Sequence, residues 1–319
     1  MKRLHSFRTI VCSIATFCLI TACSQDELQG DMLSDELRPL VLQTNLQPVT
    51  RSTIHNQWVG GEQVKIRLTE NNIVGGDIYD YTYTADANGN LTCNAPYYWP
   101  KIQGWELIVS AYYPTDLDFM SEKKLPTDQS TELNFQSTDA LFAPPKSFFY
   151  QKNGQYKLDF YHQNVKLVVN VLNTGLVAGY QSTDVSLSVG PIRSEGIYQS
   201  PIPIHLGAGP YGSWVSLAGS ETFTPYRLLK PNVVNGTSSV ASFEVVVLPQ
   251  TVEAGNTLFT FTVDGQNYCY TVPTGGITWD IGKKYTFNVT IGHELKIEME
   301  QAISWDTNGA TGSGNVELP

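Results

Sequence analysis

Residues able to carry chemistry are scattered thinly along this chain of 319. No His-Glu-x-x-His pair offers zinc two imidazoles on one helical face, and no Cys-x-x-Cys offers it thiolates. No Gly-x-Ser-x-Gly turn presents a serine nucleophile either. Beyond the N-terminal leader the histidines are His55, His162, His205 and His293, and none stands at metal-ligand spacing from another. Asp86-Ala87-Asn88-Gly89-Asn90 opens like a calcium loop. Its sixth position, however, is Leu91 where the turn needs Gly, and its twelfth is Tyr97 where a bidentate Glu belongs. A hairpin turn is the better reading. Gly276 to Lys283 has glycines six apart where a phosphate loop has them five apart, and Lys284 fills the place of the magnesium-binding Ser or Thr. A carboxylate pair for glycoside hydrolysis must be assembled by the fold, and spacing does not reveal one. Trp99, Trp105 and Trp214 could stack on sugar rings, or serve a sandwich core. These residues predict no enzyme, no catalytic group, no metal and no cofactor.

The elements that hold such residues are set by composition. Lys+Arg 20 against Asp+Glu 30 gives a net charge of -10, which argues against a nucleic-acid partner needing a basic face. A charged fraction of only 16%, with Tyr 17, Phe 13, Trp 6, Gly 26 and Pro 17, favours strands and turns over helices. The apolar fraction of 41% supports a packed core. The length suits roughly two domains of about 150 residues.

The N-terminus reads as an address. Lys2, Arg3 and Arg8 precede an apolar run from Ile10 to Ile20, too short to span a bilayer and right for a signal-peptide core. Ile20-Thr21-Ala22-Cys23 resembles a bacterial lipobox, which predicts a signal peptide over 1–22 and diacylglycerol on Cys23. The alternative is an ordinary secretory signal cut after Ala22. Ser24-Gln25-Asp26-Glu27 resembles the acidic signal that sends lipoproteins outward in gut and oral anaerobes. Losing residues 1–22 removes three basic and no acidic residues and takes the charge from -10 to -13. Cys93 and Cys269 then remain. Export would permit a disulfide between them, but each sits in a strand-like stretch that favours a free, buried thiol.

Residues 23–38 are polar and acidic, a tether. From Leu40 onward period-two alternation prevails. Val64-Lys65-Ile66-Arg67-Leu68 and Tyr79-Asp80-Tyr81-Thr82-Tyr83 alternate cleanly. Leu167, Val169 and Val171 line one strand face; Phe259, Phe261 and Val263 line another. Asn88-Gly89, Asn153-Gly154, Asn235-Gly236 and Asp264-Gly265 have the form of two-residue hairpin turns. No stretch carries a long apolar stripe at helical spacing. Regular strands broken by turns predict an all-β protein of two tandem β-sandwich domains, 39–174 and 175–319, with the seam at Asn173-Thr174-Gly175.

Several segments, in order along nearly the whole chain, resemble the fimbrillin family, the subunits of type V pili. They are the lipobox, Val49-Thr50-Arg51-Ser52 ahead of Trp58, Trp105 to Pro114 ending in Ala-Tyr-Tyr-Pro, and Asp139-Ala140-Leu141-Phe142-Ala143. Leu158-Asp159-Phe160-Tyr161-His162, Leu248-Pro249-Gln250 and Trp279 to Phe287 follow, and Ile303-Ser304-Trp305 fits loosely with one residue missing. The resemblance implies transthyretin-like sandwiches, export as a surface lipoprotein of the outer membrane, and membership of a fimbrium. It implies that an arginine-specific protease cuts between Arg51 and Ser52, releasing residues 23–51. Pro39 to Leu46 is apolar enough to lie in a sandwich as the strand that is lost. The slot it leaves takes a strand donated head-to-tail by the next subunit. Leu295, Ile297, Met299, Val316 and Leu318 of the C-terminal stretch are the implied donor residues. Other implied partners are the membrane, through lipid, and a surface receptor. Two rival readings share the same sandwiches: a monomeric glycan-binding surface lipoprotein, and a pilus tip or anchor subunit.

Overall fold

Period-two alternation becomes strand almost throughout. The computed structural model describes residues 37–45, 58–70, 77–118, 120–175, 182–201, 207, 209–217, 219–292, 294–305 and 315–316. The first strands are β1 (Leu42–Asn45), β2 (Gln63–Glu70), β3 (Ile78–Ala85), β4 (Asn90–Thr92), β5 (Glu106–Tyr113) and β6 (Ser121–Lys124). A six-residue helix, α1 (Glu132–Ser137), follows, capped by the Thr131 hydroxyl accepting from the Asn134 amide. Then come β7 (Leu141–Phe149), β8 (Tyr156–Asp159), β9 (Tyr161–His162), β10 (Val165–Asn173), β11 (Val185–Ile192), β12 (Glu195–Gln199) and β13 (Ser213–Ser216). Next are β14 (Glu221–Phe223), β15 (Tyr226–Arg227), β16 (Val233–Val234), β17 (Thr237–Ser238), β18 (Ala241–Val247), β19 (Gln250–Val252) and β20 (Thr257–Val263). The series ends with β21 (Gln266–Thr271), β22 (Ile277–Trp279), β23 (Lys283–Ile291), β24 (Leu295–Glu300), β25 (Ile303–Ser304) and β26 (Asn315–Val316). Among the described residues the protein is all-β apart from α1.

The largest sheet runs β8-β1-β4-β3-β2-β5-β7-β9. Its inward residues, among them Val64, Ile66, Leu68, Leu107 and Val109, are fully buried in a first apolar core. A second sheet, β15-β18-β10-β23-β24-β26, and the sheet β14-β11-β20-β21 bury Val169, Val189, Phe259, Phe261 and Phe287 in a second core. In β20 the expected face of Phe259, Phe261 and Val263 is inward, as is Leu167-Val169-Val171 in β10.

One expectation changes, that of the turns. Asn235-Gly236 and Asp264-Gly265 do form two-residue turns with both φ values positive, at 49° and 81° and at 49° and 78°. At Asn88-Gly89 and Asn153-Gly154 only one residue of each pair is left-handed, Gly89 and Asn153. The first is a longer turn closed by Asp86, whose carboxylate accepts from the Asn88 and Asn90 amides at 2.8 Å. Strand pairing crosses the position of the expected seam. β10, upstream of Asn173, pairs along its length with β18 and β23, so Val165–Val171 side with the second core. β6 from upstream likewise pairs with β12 in a three-stranded sheet. From Leu37 onward the chain forms one compact unit.

Candidate functional site

Leu40 and Leu42 alternate with Pro39, Val41 and Gln43, so extended backbone puts both leucines on one face. That face is the first core. Leu40 is 2% and Leu42 0% exposed, while Val41 on the other face is 40% exposed. Tyr83, Leu91, Tyr97, Trp99, Tyr156 and Leu158 belong to the same core, with the rings of Trp99 and Tyr156 5.4 Å apart. Burial pushes the Tyr83 phenol well above the ordinary tyrosine range. Burial does the same to Tyr97, helped by its 2.8 Å hydrogen bond to Glu70.

β1 is inserted between two strands. It runs antiparallel to β4, with Leu42 opposite Leu91 and Gln43 opposite Asn90. It runs parallel to β8, with Leu42 to Asn45 beside Tyr156 to Asp159. Upstream the Leu40 amide donates to Tyr97 O at 2.8 Å, and the Trp99 amide to Arg38 O at 2.9 Å. The Thr44 amide donates to Gly89 O at 2.7 Å, and the Tyr156 amide to Val41 O at 3.0 Å. Among the described residues β8 has no sheet neighbour except β1. Taking β1 away would open a slot lined by two rows of unpaired backbone groups and by the seats of two leucines. Each leucine gains about 1.5–3 kcal/mol from burial, and each orphaned backbone group costs a further penalty.

Both ends of the strand are fastened. Arg38 lies over the Tyr150 ring at 4.5 Å. At the other end the indole Nε1 of Trp58 donates to Thr44 Oγ1 at 2.7 Å. Trp58 is 6% exposed and meets Tyr113 and Phe160 edge-on, at 5.4 and 5.6 Å. Burial pushes the Tyr113 phenol up to about 12. The amides of Val59 and Gly60 donate to the Glu62 carboxylate at 2.6 and 2.8 Å, fixing the backbone that carries the tryptophan. Trp58 was legible only as an aromatic after the Thr-Arg step, and Gly89 only as a turn glycine. Nothing in the spacing announces that both meet Thr44.

A family model described as fimbrillin-like matches residues 50–305. The chain belongs to the fimbrillin-like family. A structure from Bacteroides uniformis, described as a cell adhesion protein, superposes with a TM-score of 0.61 at 17% identity, covering 85% of this chain and 99% of that one. A second such protein, from Bacteroides ovatus, gives 0.54 at 16% identity, covering 85% and 98%. A fimbrial protein from Bacteroides ovatus gives 0.44 at 14% identity, covering 87% of this chain and 56% of that one. No curated protein matches the sequence. Family membership makes this fimbrillin-like chain a structural protein, not an enzyme.

The expected donor residues of this fimbrillin-like chain lie at its other end. Leu295, Ile297 and Met299 are half-buried on β24, antiparallel to β23, and pack against the second core. Val316 lies on β26, opposite Met299 at the sheet's margin. Cys23, Arg51, Ser52 and Leu318 lie outside the described residues, as do His55, His205 and His293. In sequence, Arg51 falls between Asn45, the last residue of β1, and Trp58.

The other candidates resolve into packing. Trp99 is 4% exposed, Trp105 is half-buried, and Trp214 Nε1 donates to Gln163 O at 2.6 Å, so the three tryptophans form no exposed sugar platform. His162 is buried with Nδ1 2.9 Å from Asp139 and its ring stacked on Trp305 at 3.8 Å. Cys93 and Cys269 are free thiols. Cys269 is exposed and not buried as expected, because β21 is an edge strand and Asn267, Cys269 and Thr271 face outward. Among the described residues no three His, Cys, Asp or Glu side chains gather as metal ligands.

Proposed function

We propose that this protein is a subunit of a cell-surface pilus that polymerises by strand exchange, with β1 as the strand it gives up. The observation that carries the proposal is the position of β1: a short segment, seated by two buried leucines between β4 and β8. It is joined to the rest of the fold through a link that contains Arg51. A cut after Arg51 turns β1 from a covalent part of the sheet into a separate chain that another strand can replace. Membership of the fimbrillin-like family supports the same reading. The subunit reaches the outer membrane as a lipoprotein through Cys23, and the cut at Arg51 frees it from that anchor.

The replacing strand comes from the C-terminal stretch of the next subunit. Val316 and Leu318 follow the Gly-rich run Asn308 to Gly314, and β26 is held by the rungs Met299–Val316 and Glu300–Asn315. Leu295, Ile297 and Met299 cover their own core, so releasing them costs more. Head-to-tail donation does not close on itself and builds a filament.

The test is Arg51→Ala. Treated with an arginine-specific protease, the native chain is expected to give a ladder of oligomers on denaturing gels, and Arg51→Ala to stay monomeric. A ladder of equal extent from Arg51→Ala would overturn the cleavage-triggered mechanism.

A further inference from the structure

The end of the slot beside Trp58 is a polar seat, and it stays with the subunit after β1 leaves. Residues 40, 42 and 44 share one face of the extended segment, so the seat follows the two leucine seats at strand spacing. Its floor is Gly89, with φ of +80° and no side chain. A Cβ on Gly89 would stand 2.5 Å from Thr44 Oγ1, so the seat holds only a small side chain. Its wall is the Trp58 indole, whose N–H donates to that oxygen at 2.7 Å from an almost fully buried ring. An indole N–H is a donor only, and a buried donor without an acceptor carries a desolvation penalty.

We propose that Trp58 and Gly89 select the strand that enters the slot by demanding a small hydroxyl residue two positions after the second apolar anchor. The proposal rests on the strand-exchange reading above and adds a rule to it. The partner is a β-strand of another subunit with the pattern apolar-x-apolar-x-Ser/Thr, entering parallel to β8 as β1 does. β1 itself carries the pattern as Leu40-Val41-Leu42-Gln43-Thr44, whereas Leu295-Lys296-Ile297-Glu298-Met299 places methionine at the third seat and Val316-Glu317-Leu318 brings no Ser or Thr to it, so the C-terminal strand of a like copy is the weaker entrant. A strand with valine at the third seat fits in shape and leaves the indole N–H unpaired. A strand with leucine there collides with Gly89. The two leucine seats supply affinity, and the third supplies register: a slip by two residues puts an apolar side chain against the indole N–H.

The test uses the full chain cut with an arginine-specific protease and incubated with labelled peptides spanning residues 38–46. Three peptides are compared, native, Thr44→Ser and Thr44→Val, on native protein and on Trp58→Phe, which keeps a ring and removes the donor. On native protein the serine peptide is expected to be taken up like the native one, and the valine peptide about tenfold more weakly. On Trp58→Phe that difference is expected to vanish. Equal uptake of the valine peptide by native protein, or a tenfold loss that persists on Trp58→Phe, would overturn the selection rule and leave strand exchange standing. Failure of the native peptide to enter the cut protein at all would overturn strand exchange itself, and the rule with it.

Discussion

Gln163 shows how this fold satisfies polar groups where strands end. Its side chain is fully buried, accepts from Tyr198 OH at 3.0 Å and the Gly212 amide at 2.9 Å, and donates to Tyr161 O and Pro210 O. Gln129 does the same work at β18, donating to Val246 O and accepting from its amide, both at 2.8 Å, so a side-chain amide continues the ladder. Neither role is legible in sequence, because apart from Tyr161 these partners lie 35 to 117 residues away. β10 teaches the same lesson. Its inward face of Leu167, Val169 and Val171 is readable from alternation, yet Lys166, Val168 and Asn170 on the outer face are buried too. Among them, Lys166 pairs with Glu244 at 2.8 Å and lies near the rings of Phe135 and Trp305. Alternation shows one covered face and says nothing of a second cover supplied by distant loops. Lys284, near that pair, has its pKa lowered below the usual lysine range, first by burial and then by Lys166, with Glu244 and Glu300 opposing. A lysine whose folded pKa is depressed destabilises the fold while it must stay charged, and stability returns as pH rises toward the unfolded lysine range. Lys284→Met is therefore expected to raise the urea midpoint at pH 7, with the gain shrinking steadily as the titration approaches about pH 10.4. A gain independent of pH would assign the effect to packing instead.

At the level of the element, β1 was readable as an apolar strand from Pro39 to Leu46, because its alternation is local. Its place between β4 and β8 was not readable. Both partners lie downstream, β4 about fifty residues on and β8 more than a hundred, and a parallel neighbour leaves no turn signature. The topology carries a consequence for β8. Since β1 is its only sheet neighbour among the described residues, loss of β1 removes the pairing of Tyr156–Asp159, while β10 keeps both of its neighbours. Hydrogen exchange on protease-cut protein from which β1 has been displaced is expected to show the amides of β8 and β4 losing protection together. The amides of β10 are expected to stay protected. Exchange that speeds up equally in β10 would mean that the whole unit opens.

For the whole molecule, the all-β fold was foreseeable from composition and alternation, but the sharing of strands between the cores was not. A seam after Leu172 looks natural because Asn173-Thr174-Gly175 has turn chemistry, yet β10 ends there as the strand between β18 and β23. A fragment of residues 175–319 would lack the middle strand of its larger sheet and expose Val169 and Val171's partners across the core. It is expected to lack a cooperative thermal transition by circular dichroism, whereas the same fragment begun at Val165 is expected to melt cooperatively. A cooperative melt from the shorter fragment would show that β10 is dispensable to the second core. β6 adds a further tie, because it reaches from the first half of the chain to pair with β12.

On the strand-exchange proposal, the neighbours of β1 would also govern how a joint between subunits bears load. A strand held at one margin can be peeled, its rungs breaking one after another under small force. A donated strand seated as β1 is, with β8 parallel and β4 antiparallel, would be pulled along its own axis when a filament is stretched. Every rung would then be sheared at once, and the side chains in the seats now held by Leu40 and Leu42 would have to leave in the same step. The slot that would make the strand replaceable by slow exchange would thus make the same joint resistant to traction, a useful pairing for a fibre that must be assembled at a surface and then hold against flow.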